Sequence, residues 1–505
     1  MFDIIVIGCG PVGALAANLL GRAGLSVLVL ERHAHLHPLP RAVHLDHEMM
    51  RLFQSAGVID RVLPDMVATD GHLHVGADHD VIRFMGTAGK PRPFGWSNDY
   101  FFYQPELEAH LREGMATLDS VELRLGAVFQ SLEQTDGGVV VRYDQDGEAR
   151  EISARWVIGC DGARSAVRKS LGIALDDLDF EEPWLVVDAE VDGPVSFPPI
   201  GGVPPEADLQ RLSVMMCDPS RPATIVPGRG QHRRWEFMLL PGEDDQAMMA
   251  DDKVAELVGA WMKDVPHRII RAATYRFHGL VAEQWQVGNV FLAGDAAHQT
   301  PPFFGQGMCH GLRDVANLAW KMAAIVRDGA SPALVDSYQC ERDPHVRSVI
   351  GAAVGAGRYI CMLDRAAAAE RDASMRAAQN GHNGRTAADL IPPITDGIVA
   401  TETPGAGVRF IQPMIEGQRM DDVIGGGWRL FVRNDGIDGG APGVTRVDAA
   451  TLGDAGAITD WLDGHGVDAV LVRPDHYVFG TASASAGPLL SAREKALGLF
   501  VGVSA

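Results

Sequence analysis

The sequence predicts an α/β protein: a Rossmann-like dinucleotide-binding domain, an antiparallel sheet inserted into it, and a small α/β unit at the C-terminus. The first sign is a βαβ start. Residues 3–7 form a β-rich run, GCGPVG follows at 8–13, residues 14–23 have helical composition up to Gly24, and the apolar run 27–30 ends in Glu31. G-x-G-x-x-G between strand and helix, with an acid 18 residues past the last glycine, sets a carboxylate on a ribose 2′-hydroxyl. Second, between about 182 and 285 strand-like segments at 184–191, 212–217 and 233–240 alternate with Pro/Gly-rich loops such as 194–205, which reads as an antiparallel sheet. Third, residues 290–321 return to strand, turn and helix, and beyond 404 the segments 428–432, 455–465, 469–472 and 477–479 suggest the last unit.

At 505 residues the chain is long for one core and implies two to four domains. A net charge of −22 argues against nucleic acid or an anionic membrane as partner, so local arginines and helix ends must meet any anionic cofactor. Cys9, Cys160, Cys217, Cys309, Cys340 and Cys361 contain no C-x-x-C pair, so no metal site or redox dithiol is indicated. Free thiols fit a reducing cytoplasm. The apolar 4–20 has no basic residue before it and is interrupted by Gly8, Gly10, Pro11 and Gly13, which makes it a poor signal peptide and a poor membrane span.

Along the chain, Glu31 disfavours a 2′-phosphate at this site by charge repulsion. Pro40-Arg41-Ala42 precedes a helix that Asp46 can cap and Gly57 can end, and Arg41 is either a pyrophosphate partner or a plain surface arginine. Gln104-Pro105 opens a helix whose N-terminus is a second possible cofactor contact. Residues 121–125, 139–143 and 151–156 are β-like, with Asp146-Gly147 as a hairpin turn. The run 156–159 leads into CDGARSAVR, where Asp161 either serves the ligand or caps the next helix. In HRRWEFM, Trp235 and Phe237 share a side with Arg233, and Arg234 shares the other with Glu236. Either arginine can hold an acidic ligand or lie on a solvated edge. The strand 290–293 places Asp295 at its end, Pro301 and Pro302 forbid helix, and Gly305 and Gly307 permit close approach. A helix over 308–321 then aims its N-terminus at a group that gathers negative charge.

GCGPVG with Glu31, CDGARSAVR and AGDAAHQTPPFFGQGMCHGLRDVANLAWK together resemble the single-component FAD-dependent aromatic hydroxylases, the class of para-hydroxybenzoate hydroxylase. The 3-(3-hydroxyphenyl)propionate hydroxylase branch is resembled further through PRAVHLDHEMMRLFQSAG, FGWSNDYFFYQPELE, RRWEFMLLPGE and RFIQP. The resemblance implies a discontinuous FAD-binding domain (1–75, 101–180, 286–361), a substrate domain (76–100, 181–285), a helix and linker (362–404), and a thioredoxin-like domain without redox cysteines (405–505). It implies that Gly8, Gly10 and Gly13, with Pro11 and Val12, hold the pyrophosphate of a tightly bound, non-covalent FAD, and that Glu31 holds its adenosine ribose. Arg32, Arg41, Gln104 and Val128 would add contacts, Asp161 would serve both FAD and NAD(P)H, and Asp295 would hold the ribityl chain. Gly305, Gln306, Gly307 and Met308 would line the flavin ring, and Pro302 would turn a carbonyl toward the substrate hydroxyl.

The implied reaction is reduction of FAD by NADH or NADPH, capture of O₂ as a flavin C4a-hydroperoxide, and oxygen transfer to a small phenolic ring, a monooxygenase activity of aromatic compound catabolism. Reduced flavin is then the anion at the helix end. One departure stands out: Val214-Met215-Met216-Cys217 lacks the tyrosine that helps ionise the phenol in the para-hydroxybenzoate enzymes. His310, Tyr275 and His278 are the candidates for that role, local hydrogen bonding being the plain alternative. Trp96, Met215, Arg234, Trp235 and Phe237 are candidate substrate contacts, with core packing as their alternative. Competing functions are a tailoring or antibiotic-modifying monooxygenase of polycyclic aromatics and a non-catalytic FAD-binding protein. A homodimer is compatible with the reading. A flavin halogenase is disfavoured because neither Trp235 nor Trp261 lies in W-x-W-x-I-P.

Overall fold

Strand Phe2–Ile7 is apolar along nearly its whole length because it is covered on both faces. It pairs in parallel with Val27–Glu31 on one side and with the end of the long strand Glu148–Gly159 on the other. Val121–Leu125 and Val290–Leu292 extend the parallel sheet outward, and the hairpin Ala127–Thr135 and Gly138–Gln145 pairs antiparallel on the first half of Glu148–Gly159. Helices Pro11–Arg22, Gln104–Met115 and Gly307–Arg327 carry much of the remaining core. The computed structural model describes residues 1–263, 265–379, 390–453 and 456–499.

The inserted sheet has eight strands, in the order His298–Gln299, His267–Ala282, Leu175–Val191, His232–Met238, Ala223–Pro227, Ser213–Met216, Gly71–Val75 and Val81–Gly86. Two expected boundaries move. Gly71–Val75 pairs with Val81–Gly86, so a boundary at 75/76 cuts a hairpin, and Leu175–Val191 enters this sheet before 181. Both shifts come from pairing between segments distant in sequence, which local texture does not report.

Helix His47–Ser55 is capped by Asp46, whose side chain accepts from the Glu48 N–H at 2.9 Å. His44–Asp46, Asp99–Phe101 and Val67–Ala68 form a further three-stranded sheet, paired over long sequence separations that leave no local signal.

Helices Ser337–Ile360 and Arg365–Gln379 lead toward the C-terminal unit. Part of the expected linker, 380–389, lies outside the described residues, as does Ala455 at the expected helix start. The last unit is a four-stranded mixed sheet, Val444–Asp448, Trp428–Val432, Ala469–Val472 and Val478–Ala482, with helices Gly456–His465 and Gly487–Leu497, a thioredoxin-like arrangement. It is fastened to the first domain by buried polar contacts: Arg51 to Asp421 at 2.6 Å, Arg473 to Glu341 at 2.7 Å, and Trp320 Nε1 to Asp475 at 3.0 Å. No helix among the described residues is long and apolar enough to cross a membrane.

Candidate active site

The glycine turn brings strand, helix and neighbouring strand into contact. Gly8 has φ +98°, and a Cβ there would lie 2.5 Å from the Cys160 carbonyl oxygen, while one at Gly13 would overlap the carbonyl oxygen of Gly8. A Cβ at Gly10 would meet no protein atom within 4 Å. That open space faces the N-terminus of Pro11–Arg22, where no side chain caps the free N–H groups.

A groove runs from here past Glu31, Arg32, Val128 and Asp161. Glu31 is braced at its strand end, accepting from the Cys9 N–H at 2.7 Å and the His33 N–H at 2.9 Å. One oxygen of Asp161 caps the next helix through the N–H groups of Ala166 (2.6 Å) and Val167 (3.1 Å), and the other is buried without a partner among the described residues. Capping thus uses one oxygen of the side chain and leaves the other as an uncommitted acceptor among the described residues.

The groove continues into a cavity between the first domain and the inserted sheet. Pro11, Val12, Arg41, Gln104, Asp295, Pro302, Gly305, Gly307 and Met308 form one wall; Val43, His44, His72, Ser213, Met215, Thr224, Val226, Arg234 and Glu236 form the other. Asp295 sits in the turn Gly294–Ala296 and is exposed to this interior space, deep in the molecule. Burial pushes its carboxyl pKa up, against the pull of Arg41 and His298. The turn is held from beneath by Asp314, which accepts from the Gly294 N–H at 3.0 Å, contacts His298 at 2.6 Å and is held by Arg342 at 3.0 Å. Gly305 has φ +63°, and a Cβ there would overlap the ring of His44.

The loop carrying Arg41 is tied from two sides. Gln104 Oε1 accepts from the N–H groups of Arg41 (3.0 Å) and Ala42 (2.7 Å), and Arg234 donates to the carbonyls of Arg41 (2.6 Å) and Pro40 (2.7 Å). Arg234 also grips buried Asp188 with Nε at 2.8 Å and Nη2 at 3.2 Å.

Several expected site residues lie elsewhere. His310 is fully buried, within 3.3 Å of Arg342 and packed against His298 and His345. Burial, with nearby arginines, holds its pKa well below the usual range, so the ring is neutral. His310 is in the first turn of the helix, yet its ring packs among His298, His345 and Arg342 and does not line the cavity. Tyr275 and His278 lie on an outer cleft that joins the cavity at Arg234, Glu236 and Pro302. The Gln306 side chain is buried away from the cavity and accepts from Arg313 at 3.1 Å. Trp96 lies under the Arg419 guanidinium, 3.2 Å from its ring centroid, at the contact with the C-terminal unit. Trp235 and Phe237 face the core on the far side of the sheet. Strand alternation gives the cavity Arg234 and Glu236 instead.

His44, His72, Ser213, Thr224 and Glu236 also line the cavity, beyond the residues the sequence singles out as site candidates. Glu236 was legible, since it shares a strand face with Arg234. His44, whose Nε2 lies 3.1 Å from Asp99 Oδ1, depends on pairing across 55 residues and left no local signal.

The family described as the FAD binding domain matches residues 1–353. The chain is 36% identical over 509 residues to a probable NADH-specific resorcinol 4-hydroxylase of Rhodococcus jostii (strain RHA1), covering 96% of this chain and 92% of the relative. The chain belongs to the FAD-dependent aromatic hydroxylases. A second relative of this flavoprotein, 3-(3-hydroxy-phenyl)propionate/3-hydroxycinnamic acid hydroxylase 2 of Burkholderia vietnamiensis (strain G4 / LMG 22486), is 33% identical over 95% of this chain and 94% of its own. Among solved structures, the flavin-dependent monooxygenase PieE in complex with FAD and substrate superposes with a TM-score of 0.78 at 23% identity, over 98% of this chain and 99% of the other. Aklavinone-11 hydroxylase with FAD and aklavinone gives 0.77 at 23% identity and the same coverage. These likenesses show the shared fold.

The flavoprotein is a monooxygenase with FAD as cofactor and a reduced nicotinamide as electron donor. Its residues fit FAD: an open approach at Gly10, an unpartnered acceptor on Asp161, Asp295 facing the cavity, and the uncapped start of Gly307–Arg327 beyond the left-handed Gly305.

Proposed function

We propose that the enzyme hydroxylates a small, neutral phenol of the resorcinol type, with NADH as donor. The observation that carries this is the charge on the substrate-side wall. Arg234 gives four of its hydrogen bonds to Asp188, Pro40 and Arg41, and Glu236, an acid with no ion-pair partner among the described residues, faces the cavity beside it. A ring bearing a carboxylate would meet repulsion there instead of a cation. Arg41 lies where the cavity joins the cofactor groove, and we assign it to the cofactor.

Bound FAD supplies hydride acceptance and oxygen activation. In our reading Asp295 and Asp161 would accept hydrogen bonds from it, Gly10 would leave room for its pyrophosphate, and the start of helix Gly307–Arg327 would favour negative charge on its ring. Val43, Met215, Val226 and Phe303 are apolar cavity residues that exclude water from the reacting ring. The outer cleft, with Arg32 and Arg164, offers positive charge to a dinucleotide in a chain of net charge −22. The six free cysteines fit a cytoplasmic setting.

The test is a panel of resorcinol, 3-hydroxyphenylpropionate and a polycyclic phenol, scored by ligand-stimulated NADH oxidation and by product mass for one added oxygen. Resorcinol is expected to give at least a roughly tenfold higher kcat/KM than the carboxylated phenol, about 1.4 kcal/mol. Preference for the carboxylate would overturn the neutral-ring reading, and activity confined to the polycyclic phenol would favour a tailoring role. FAD binding without NADH oxidation under any of them would mark a non-catalytic flavoprotein.

A further inference from the structure

A phenol takes up oxygen best once its hydroxyl proton has gone, and the segment Val214-Met215-Met216-Cys217 carries no tyrosine to take it. The cavity wall offers one acid in its place. Glu236 lies in His232–Met238, flanked in register by Val186 and by Thr224, whose neighbour on the next strand is Met215. Thr224, Met215 and Glu236 all line the cavity. Since Arg234 is committed to Asp188 and to two carbonyls, the Glu236 carboxylate stands without an ion-pair partner among the described residues. Glu236 also lines the outer cleft, so one side chain touches both the substrate space and a route to solvent.

The other acceptors nearby are poorer. His44 commits Nε2 to Asp99 and has Nδ1 buried against Gly305, and both ring nitrogens of His72 are buried in the wall. Asp295 lies on the cofactor side.

We propose that Glu236 accepts the proton of the phenolic hydroxyl. The phenol O–H bond breaks, its electron pair stays on the phenol oxygen, and a new O–H bond forms on Glu236. The proton then passes to water through the outer cleft, and no oxidant or reductant takes part in this step.

The charged and titratable groups around Glu236 are Arg234 on its own strand, Asp188 on the adjacent strand, Arg271 on the strand after it, His44 and His72 on the same wall, and Arg41 and Asp295 across the cavity. Burial raises the Glu236 pKa, Asp188 adds to the rise, and Arg234 and Arg271 oppose it. A carboxyl raised toward neutrality is better matched to removing a phenolic proton.

The assignment rests on the phenol-hydroxylase reading, and the test separates the two. FAD-loaded wild type, Glu236→Gln and Glu236→Asp are compared on resorcinol and on a nitro-substituted phenol already ionised at the assay pH. Phenol binding is followed separately by perturbation of the flavin absorbance. Glu236→Gln is expected to lower kcat for resorcinol about a hundredfold, to lose the acidic limb of the kcat/KM profile, to bind the phenol within about threefold of wild type, and to turn over the ionised phenol nearly normally. Glu236→Asp should keep the limb. Unchanged kcat and limb in Glu236→Gln, or equal losses on both phenols, would overturn the assignment alone. A wild type that hydroxylates no phenol would overturn the parent reading and this assignment with it.

Discussion

A side chain at Gly10 would touch no protein atom within 4 Å, whereas one at Gly13 would overlap the Gly8 carbonyl oxygen. One motif therefore holds two kinds of glycine: Gly13 is required for the strand and helix to meet, and Gly10 for something other than protein to approach. Gly10→Val is expected to purify folded, with an apoprotein melting temperature within a few degrees of wild type, and to retain less than about a tenth of the FAD, a loss of at least about 1.4 kcal/mol of binding. Flavin absorbance against protein concentration checks this, and a yellow, fully loaded variant would refute it. Asp161 teaches a related lesson. The sequence left helix cap and ligand acceptor as alternatives; in the structure one oxygen caps the helix and the other has no partner among the described residues, so the two roles are compatible.

At the scale of the element, strand His232–Met238 decides what the substrate side of the cavity is made of. Its odd side chains, Trp235 and Phe237, complete a hydrophobic core, and its even ones, Arg234 and Glu236, face the cavity. The two faces were legible from alternation, but which one looked inward was not, because both carry an arginine and only sheet packing distinguishes them. Asp188 on the adjacent strand is the hub, with His232 at 2.9 Å, Arg234 at 2.8 Å and Arg271 at 2.7 Å. Burial alone would raise its pKa, but the His232 hydrogen bond and the two arginines override this and hold it well below the usual carboxylate range. Asp188→Asn leaves two arginines without their counter-charge and loosens the loop at Arg41. The expected cost is about 3 kcal/mol of stability or more, read as a lower melting temperature together with faster FAD release. An unchanged FAD off-rate would show that the Arg234 tie does not position the loop.

Across the whole molecule, buried polar contacts tie the C-terminal unit to the helix that begins at the cavity. Glu341 receives Arg473 at 2.7 Å and Lys321 at 3.1 Å, and Lys321 belongs to the helix that begins at the cavity. Burial would raise the Glu341 pKa, but Arg473 and Lys321 prevail and lower it from 4.5 to about 2. A depressed carboxyl stabilises the fold fully above its unfolded pKa and loses that share as pH falls through its folded one. The Glu341 contribution should therefore be complete above about pH 4.5 and decline toward about pH 2. Glu341→Gln is expected to melt lower than wild type near neutral pH and to show a shallower fall between those limits. Parallel melting curves for the two proteins across that window would contradict it.

The residues in order determined the dinucleotide turn, the acid at Glu31, the Asp295 turn, the helix after Gly305 and the succession of sheets. Each is a local pattern within about thirty residues, where strand period, glycine spacing and proline placement act directly. Tertiary structure alone decided the opposite wall of the cavity. His44 meets Asp99 across 55 residues, Gly71–Val75 crosses to the inserted sheet, and His310, Trp96, Trp235 and Phe237 turn away from the cavity. Which side of a strand or helix is buried depends on what long-range pairing lays against it, and no local pattern carries that information.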